Sequence, residues 1–131
     1  MENKTMEEIS THLQFLGYEA LPKEGFTIFK NPKKINFVVK PYKSGFLTQA
    51  IFSCTDSAKS DVAGYLRVLN TLNQNASVAR FYADKDSDLI AEAWYPDMYA
   101  KDKFASFMEC WDSDSNALIL QNFEDLKKYM K

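Results

Sequence analysis

Three runs of strand character, Phe26 to Lys30, Ile35 to Lys40 and Phe46 to Cys54, are separated by only four and five residues. Connections that short cannot carry a crossover helix, so each run turns back antiparallel to the one before it. The punctuation agrees. Gly25 precedes the first run, Asn31-Pro32 follows it, and Pro41 and Ser44-Gly45 separate the second from the third. The three runs read as a meander. Their alternation is imperfect: Ile35, Phe37 and Val39 share one face, yet Val38 stands on the other beside Asn36 and Lys40. Phe46, Ala50 and Phe52 likewise oppose Leu47 and Ile51. A sheet with one face in water alternates more cleanly, so the second face is covered either by this chain or by a partner.

Helical periodicity flanks the meander. Thr5-Met6-Glu7-Glu8 has the capping-box pattern, and Ile9, Leu13 and Leu16 follow at helical spacing. Gly17 is placed to close that helix, with Tyr18 over Leu13, so the first helix is expected over 5–16. Asp56-Ser57 offers the cap of a second, whose stripe of Val62, Tyr65, Leu66, Leu69 and Leu72 runs to about Asn73. Two more strands, Val78 to Ala83 and Leu89 to Tyr95, flank the polar turn Asp84 to Asp88 and end at Pro96-Asp97. Phe104, Phe107, Met108 and Trp111 then mark a helix. Asp112 to Asn116 interrupts it, and Leu118, Ile119, Phe123, Leu126 and Met130 continue on a shifted face, as one kinked helix or two. The order is α-βββ-α-ββ-α in a single α+β domain over 1–131, with an antiparallel sheet.

A chain of 131 residues buries about two-thirds of its unfolded surface, enough for one core. Nineteen Phe, Tyr and Trp side chains exceed what one such core needs, so some are expected at a contact surface. The net charge of −2 gives no global attraction to nucleic acid or anionic lipid. It is unevenly spread: residues 84–125 carry three basic and eleven acidic side chains, whereas Lys30, Lys33, Lys34, Lys40 and Lys43 cluster early. Such asymmetry suits an electrostatic partner, or simply a solvated face. The first residues have no signal-like apolar stretch and no segment is long enough to span a bilayer, so a reduced cytoplasmic location is expected.

Little in the chain supports catalysis. Asp84-x-Asp86-x-Asp88 opens like a calcium loop, but Leu89 and Tyr95 stand where the glycine and the bidentate glutamate belong. Asp112-x-Asp114-x-Asn116 fails likewise at Ala117 and Phe123, and both runs read as solvated turn and helix-end acids. The one histidine, His12, has no second imidazole to share a metal with, and reads as a core-margin residue. Cys54 and Cys110 read as small buried hydrophobes, and an enzyme would need one of them to be selectively reactive. The four glycines are isolated, so no phosphate-cradling loop exists. Phe29, Phe37 and Tyr42 beside the lysines imitate an aromatic nucleic-acid platform without its motif. Arg80 is expected either to pair with Glu92 on the adjacent strand or to anchor an interface, and Trp94 and Tyr95 share those two readings.

The segments Val68-Leu69-Asn70-Thr71-Leu72-Asn73, Ala79-Arg80-Phe81-Tyr82-Ala83-Asp84 and Leu89 to Pro96 resemble the YbjN-like family. That family has a helix ending in a "V-N-x-L-N" type sequence, a strand close to "G-R-F-Y-L-D", and a second strand ending near a proline. Here Leu69 replaces the valine and Ala79 precedes Arg80. Leu16-Gly17-Tyr18 and the strand order agree more loosely. The resemblance implies a fold similar to type III secretion chaperones: a curved antiparallel sheet, helices on one side, often dimeric. The family carries a sensory-transduction-regulator label, has no established reaction, and supplies no catalytic residues.

The expectation is a non-enzymatic module that receives an apolar segment of a partner protein on a sheet face or groove, without cofactor or metal. Phe29, Val38, Arg80, Trp94 and Tyr95 are the candidate contact residues. The same surface suits a homodimer. The alternative is a small-molecule or regulatory-ligand binder with an aromatic pocket between sheet and helices.

Overall fold

In the computed structural model, which describes residues 4–131, helix α1 spans Lys4–Phe15. Lys4 and Thr5 are already helical, so Thr5 is not the cap that its spacing to Glu8 suggested. The other end forms as expected. Gly17 takes φ +98°, and the amides of Gly17 and Tyr18 donate to the carbonyls of Gln14 and Leu13, closing a Schellman turn.

Six strands follow the helix rather than five. The additional one is β1 (Glu19–Lys23), which pairs with β2 (Phe26–Lys30) across a turn in which Gly25 has φ +85°. Its sequence, Glu-Ala-Leu-Pro-Lys, has no β-branched residue and contains a proline, so nothing local marks it as a strand. It is an edge strand with one neighbour, where Pro22 can be accommodated without its missing N–H. β3 (Phe37–Tyr42) and β4 (Gly45–Phe52) form a hairpin whose two turn residues, Lys43 and Ser44, both have positive φ. With β5 (Arg80–Ala83) and β6 (Leu89–Pro96), the antiparallel sheet has the order β1-β2-β3-β4-β6-β5.

Between β4 and β5 the expected single helix is two: α2 (Asp56–Ser60) and α3 (Val62–Asn75). Asp61 lies between them with non-helical angles and caps α3 by accepting from the amide of Gly64. At the C-terminal end, α4 (Lys101–Asp112) runs on without a break into a π-helical stretch over Ser113–Leu118. Short helices α5 (Ile119–Gln121) and α6 (Phe123–Leu126) follow, with the turn at Asn122. The shift of the apolar stripe is thus the wider π winding, and the chain turns later than Asp112 to Asn116 suggested.

The buried side chains of α1, α3 and α4 form one cluster with Phe29, Phe37, Val39, Phe46, Ala50, Phe81, Ala91 and Tyr95. Those strand residues all belong to one alternate set, so the helices pack on one face of the sheet. The rings fit each other there: Phe37 lies against Tyr18, Phe29 and Trp111, and Tyr95 lies against Phe104 and Phe107. The other alternate set includes Leu47, Gln49, Ile51, Glu92 and Trp94, and no helix is packed on it among the described residues.

Two residues of the YbjN-like pattern, Asn73 and Asp84, are architectural. Asn73, at the end of α3, uses its side-chain amide to accept from the Phe81 N–H and donate to the Phe81 carbonyl. It thereby acts as a neighbouring strand along the outer edge of β5. Asp84 accepts from the amides of Asp86 and Asp88 and shapes the hairpin turn. Asp88 in turn accepts from the Cys54 amide, so the acidic run ties β4 to the turn. Asp114 is no solvated acid. It is 1% exposed inside the π stretch and accepts from the amides of Ser77, Val78 and Ala79 at 2.8–3.0 Å, anchoring the entry to β5. Asn116 accepts from the Ile35 amide, and Asp112 pairs with Lys34.

Candidate functional site

The sheet face without helices gathers much of the surface aromatic content. Of six exposed aromatic side chains among the described residues, four lie on this face: Phe26, Tyr42, Tyr82 and Trp94. Ile51 joins them at 60% exposure and Trp94 stands at 46%. Strand register places Ile51, Ile90 and Tyr82 in one row across β4, β6 and β5, and Leu47 beside Trp94 in another. The expected incomplete alternation is therefore real. Among the described residues no helix covers this face: Ile51, Tyr82 and Trp94 meet water, whereas Leu47 and Ile90 are buried within the sheet.

A groove of about 540 Å³ on this face is lined by Tyr42, Lys43, Leu47, Arg80, Glu92 and Trp94. Glu92 lies at its floor, only 2% exposed. Register sets it opposite Gln49 on β4 and Arg80 on β5, and each reaches the carboxylate. Gln49 Nε2 donates at 2.8 Å, Arg80 Nε at 2.6 Å and the Tyr82 hydroxyl at 3.1 Å. The expected Arg80–Glu92 pair thus exists, and the carboxylate holds the guanidinium protonated. A buried carboxylate with three donors holds the floor of the groove in place.

Trp94 forms the groove wall. Its Nε1–H donates to the Tyr42 carbonyl at 2.9 Å, and its ring packs on Gly45, where an added Cβ would collide with the indole and the Tyr95 carbonyl. The adjoining turn holds Lys43 and Ser44 at φ +46° and +63°. Non-glycine residues in that conformation carry strain, which tends to collect at functional surfaces.

The five candidate contact residues divide between the two faces. Val38, Arg80 and Trp94 share the open face, although Val38 does not line the groove. Phe29 is 0% exposed and Tyr95 is buried, both beneath the helices. Adjacent strand residues point oppositely, so Trp94 and Tyr95 cannot serve one surface. Tyr42, Lys43, Ile51 and Tyr82 were not among the candidates, although the parity of Tyr42 with Val38, and of Ile51 with Leu47, was available.

Two of the catalytic candidates, Cys54 and His12, make contacts elsewhere in the fold. The Cys54 thiol donates to the Asp86 carbonyl, and burial together with the neighbouring Asp88 pushes its pKa up, away from what a nucleophile requires. His12 Nδ1 is 2.9 Å from the Tyr99 hydroxyl and its ring stands edge-on to Phe104. Burial and the nearby Lys101 lower its pKa. No group of three His, Cys, Asp or Glu among the described residues is placed to hold a metal ion. No helix among them is long and apolar enough to cross a membrane. A second groove, between α1 and the start of α4, is lined by His12, Phe15, Leu16 and Tyr99.

No protein-family profile matches this sequence, and no curated protein matches it either. Solved structures do. The crystal structure of YbjN, a proposed transcription regulator from E. coli, superposes with a TM-score of 0.73 at 14% identity, over 96% of this chain and 95% of that one. The fold is YbjN-like. An uncharacterized protein from Methanothermobacter thermautotrophicus matches with a TM-score of 0.62 at 13% identity, over 92% of this chain and 97% of that one. Neither neighbour is described as an enzyme.

Proposed function

We propose that this domain is a non-enzymatic protein-binding module, a regulatory adaptor or chaperone-like protein, whose open sheet face receives an apolar segment of a partner. One observation carries the reading: a sheet face, free of helices among the described residues, on which Ile51 and Tyr82 are exposed beside a groove lined by Tyr42 and Trp94 with a fully hydrogen-bonded floor. Exposed apolar surface has a cost unless it is used, and aromatic side chains with arginine concentrate binding energy at interfaces. The regulatory description of YbjN is compatible with an adaptor. Val38, Arg80 and Trp94 belong to this contact surface, with Tyr42, Ile51 and Tyr82 beside them.

The test is photocrosslinking with a benzophenone amino acid placed at Ile51 on the open face, and separately at Leu120 on the helical side. The reading expects one recurrent protein adduct at Ile51 and none at Leu120. Adducts confined to Leu120, or none at either position, contradict it. An adduct with a second copy of the chain would make this face a homodimer interface.

A further inference from the structure

We propose that the segment received by the open face is acidic, with Asp or Glu side chains flanking apolar ones. This rests on the reading that the face binds protein and adds the chemistry of the occupant. The alternate set facing away from the helices includes Lys23, Lys30, Lys40 and Arg80, and Lys43 lines the groove beside them. Within the strands, four of these cations stand against two carboxylates, Glu19 and Glu92, in a chain whose overall net charge is −2. Glu92 is buried and already engaged by Arg80. None of Lys23, Lys30 or Lys40 forms an ion pair among the described residues.

Register interleaves these charges with apolar groups. Lys23 lies opposite Phe26 at one end, and Lys40 lies opposite Leu47, itself opposite Trp94, at the other. Neighbouring strands are about 5 Å apart, so an approaching chain meets cationic and apolar side chains in close succession. Lysine stems lie along apolar surface while the ammonium groups stay in water, where they can take carboxylates without first being desolvated. Such a surface steers an acidic segment in and sets its register, while the apolar contacts hold it.

Single-stranded nucleic acid would also match cations with rings, but it needs open ring faces for successive bases. One face of Trp94 is packed on Gly45, and the middle row is aliphatic, Leu21, Ile28 and Val38, leading to the Glu92 carboxylate. Two copies of this cationic face repel each other, and a heterologous contact with another part of a second copy builds rings or filaments rather than a closed dimer.

The experiment is fluorescence anisotropy with labelled peptides of repeating Glu-Leu-Asp-Phe, the charge-reversed Lys-Leu-Arg-Phe and the neutral Ser-Leu-Asn-Phe, together with oligo-dT. The acidic peptide is expected to bind best and to weaken with added salt. The double variant Lys23→Glu, Lys40→Glu is expected to bind it roughly tenfold more weakly. Both lysines are at the surface, so a thermal melt near that of the parent certifies the fold. Equal affinity for neutral and acidic peptides, with loss at Ile51→Asp, overturns the acidity and leaves the protein-binding reading standing. Indifference of every peptide to Ile51→Asp, or no peptide binding at all, overturns both. Preference for oligo-dT replaces the peptide with single-stranded nucleic acid.

Discussion

Removing the Asp114 carboxylate takes from the N–H groups of Ser77, Val78 and Ala79, just before β5, the acceptor they share. Asp114→Ala is therefore expected to cost about 3 kcal/mol of unfolding free energy or more, read by urea denaturation. A loss below about 1 kcal/mol, the worth of one ordinary hydrogen bond, would show that water replaces the carboxylate freely. Asp61 makes a different prediction, since it titrates. Hydrogen bonds from the Tyr129 hydroxyl, the Lys128 ammonium and the Gly64 amide lower its pKa from 3.8 to about 2. A carboxylate held below its unfolded value stabilises fully above that value, and the contribution is lost as pH falls through the folded one. Thermal stability should decline between pH 4 and 2 with a component that Asp61→Asn removes; an unchanged pH slope in that variant would contradict the assignment.

At the scale of elements, β5 is a short strand held from outside the sheet. Asn73→Ala is expected to cost about 1–2 kcal/mol for its two lost hydrogen bonds, and the Phe81 amide should exchange faster with solvent. Unaltered exchange at Phe81 would show that the edge is protected by something else. The β3–β4 turn offers the opposite change: Ser44→Gly relieves a positive φ and should stabilise by about 0.5–1 kcal/mol in a thermal melt. These elements also show where sequence reasoning succeeds. Helix α1 was legible because Ile9, Leu13 and Gly17 are local signals, and Arg80 with Glu92 was legible because hairpin register follows from the turn. Strand β1 was not, because Glu-Ala-Leu-Pro-Lys becomes a strand only by lying against β2. Asp114 was not, because an acid in a broken apolar stripe reads as solvated until β5 is brought to it. The open face was visible in the alternation at Val38 and Ile51, whereas Phe29 and Tyr95 show that aromatic character does not say which face a side chain takes.

For the molecule as a whole, one sheet face builds the core and the other carries no helix among the described residues. Trp94→Ala should weaken partner binding by about 2 kcal/mol or more, a larger effect than its cost to stability, because the ring is half exposed in the free protein. Comparing the binding isotherm with the urea midpoint separates the two, and loss of fold without a separable binding defect would place Trp94 in the scaffold. The most direct test of the central claim is methyl NMR of the protein titrated with the segment that crosslinks at Ile51. The open-face methyls of Ile28, Val38, Leu47, Ile51 and Ile90 should shift first, while those of Ile9, Leu69 and Leu72 beneath the helices stay in place. Shifts confined to Leu16 in the groove between α1 and α4, with the sheet methyls silent, would contradict the account and move the binding surface to the other side of the molecule.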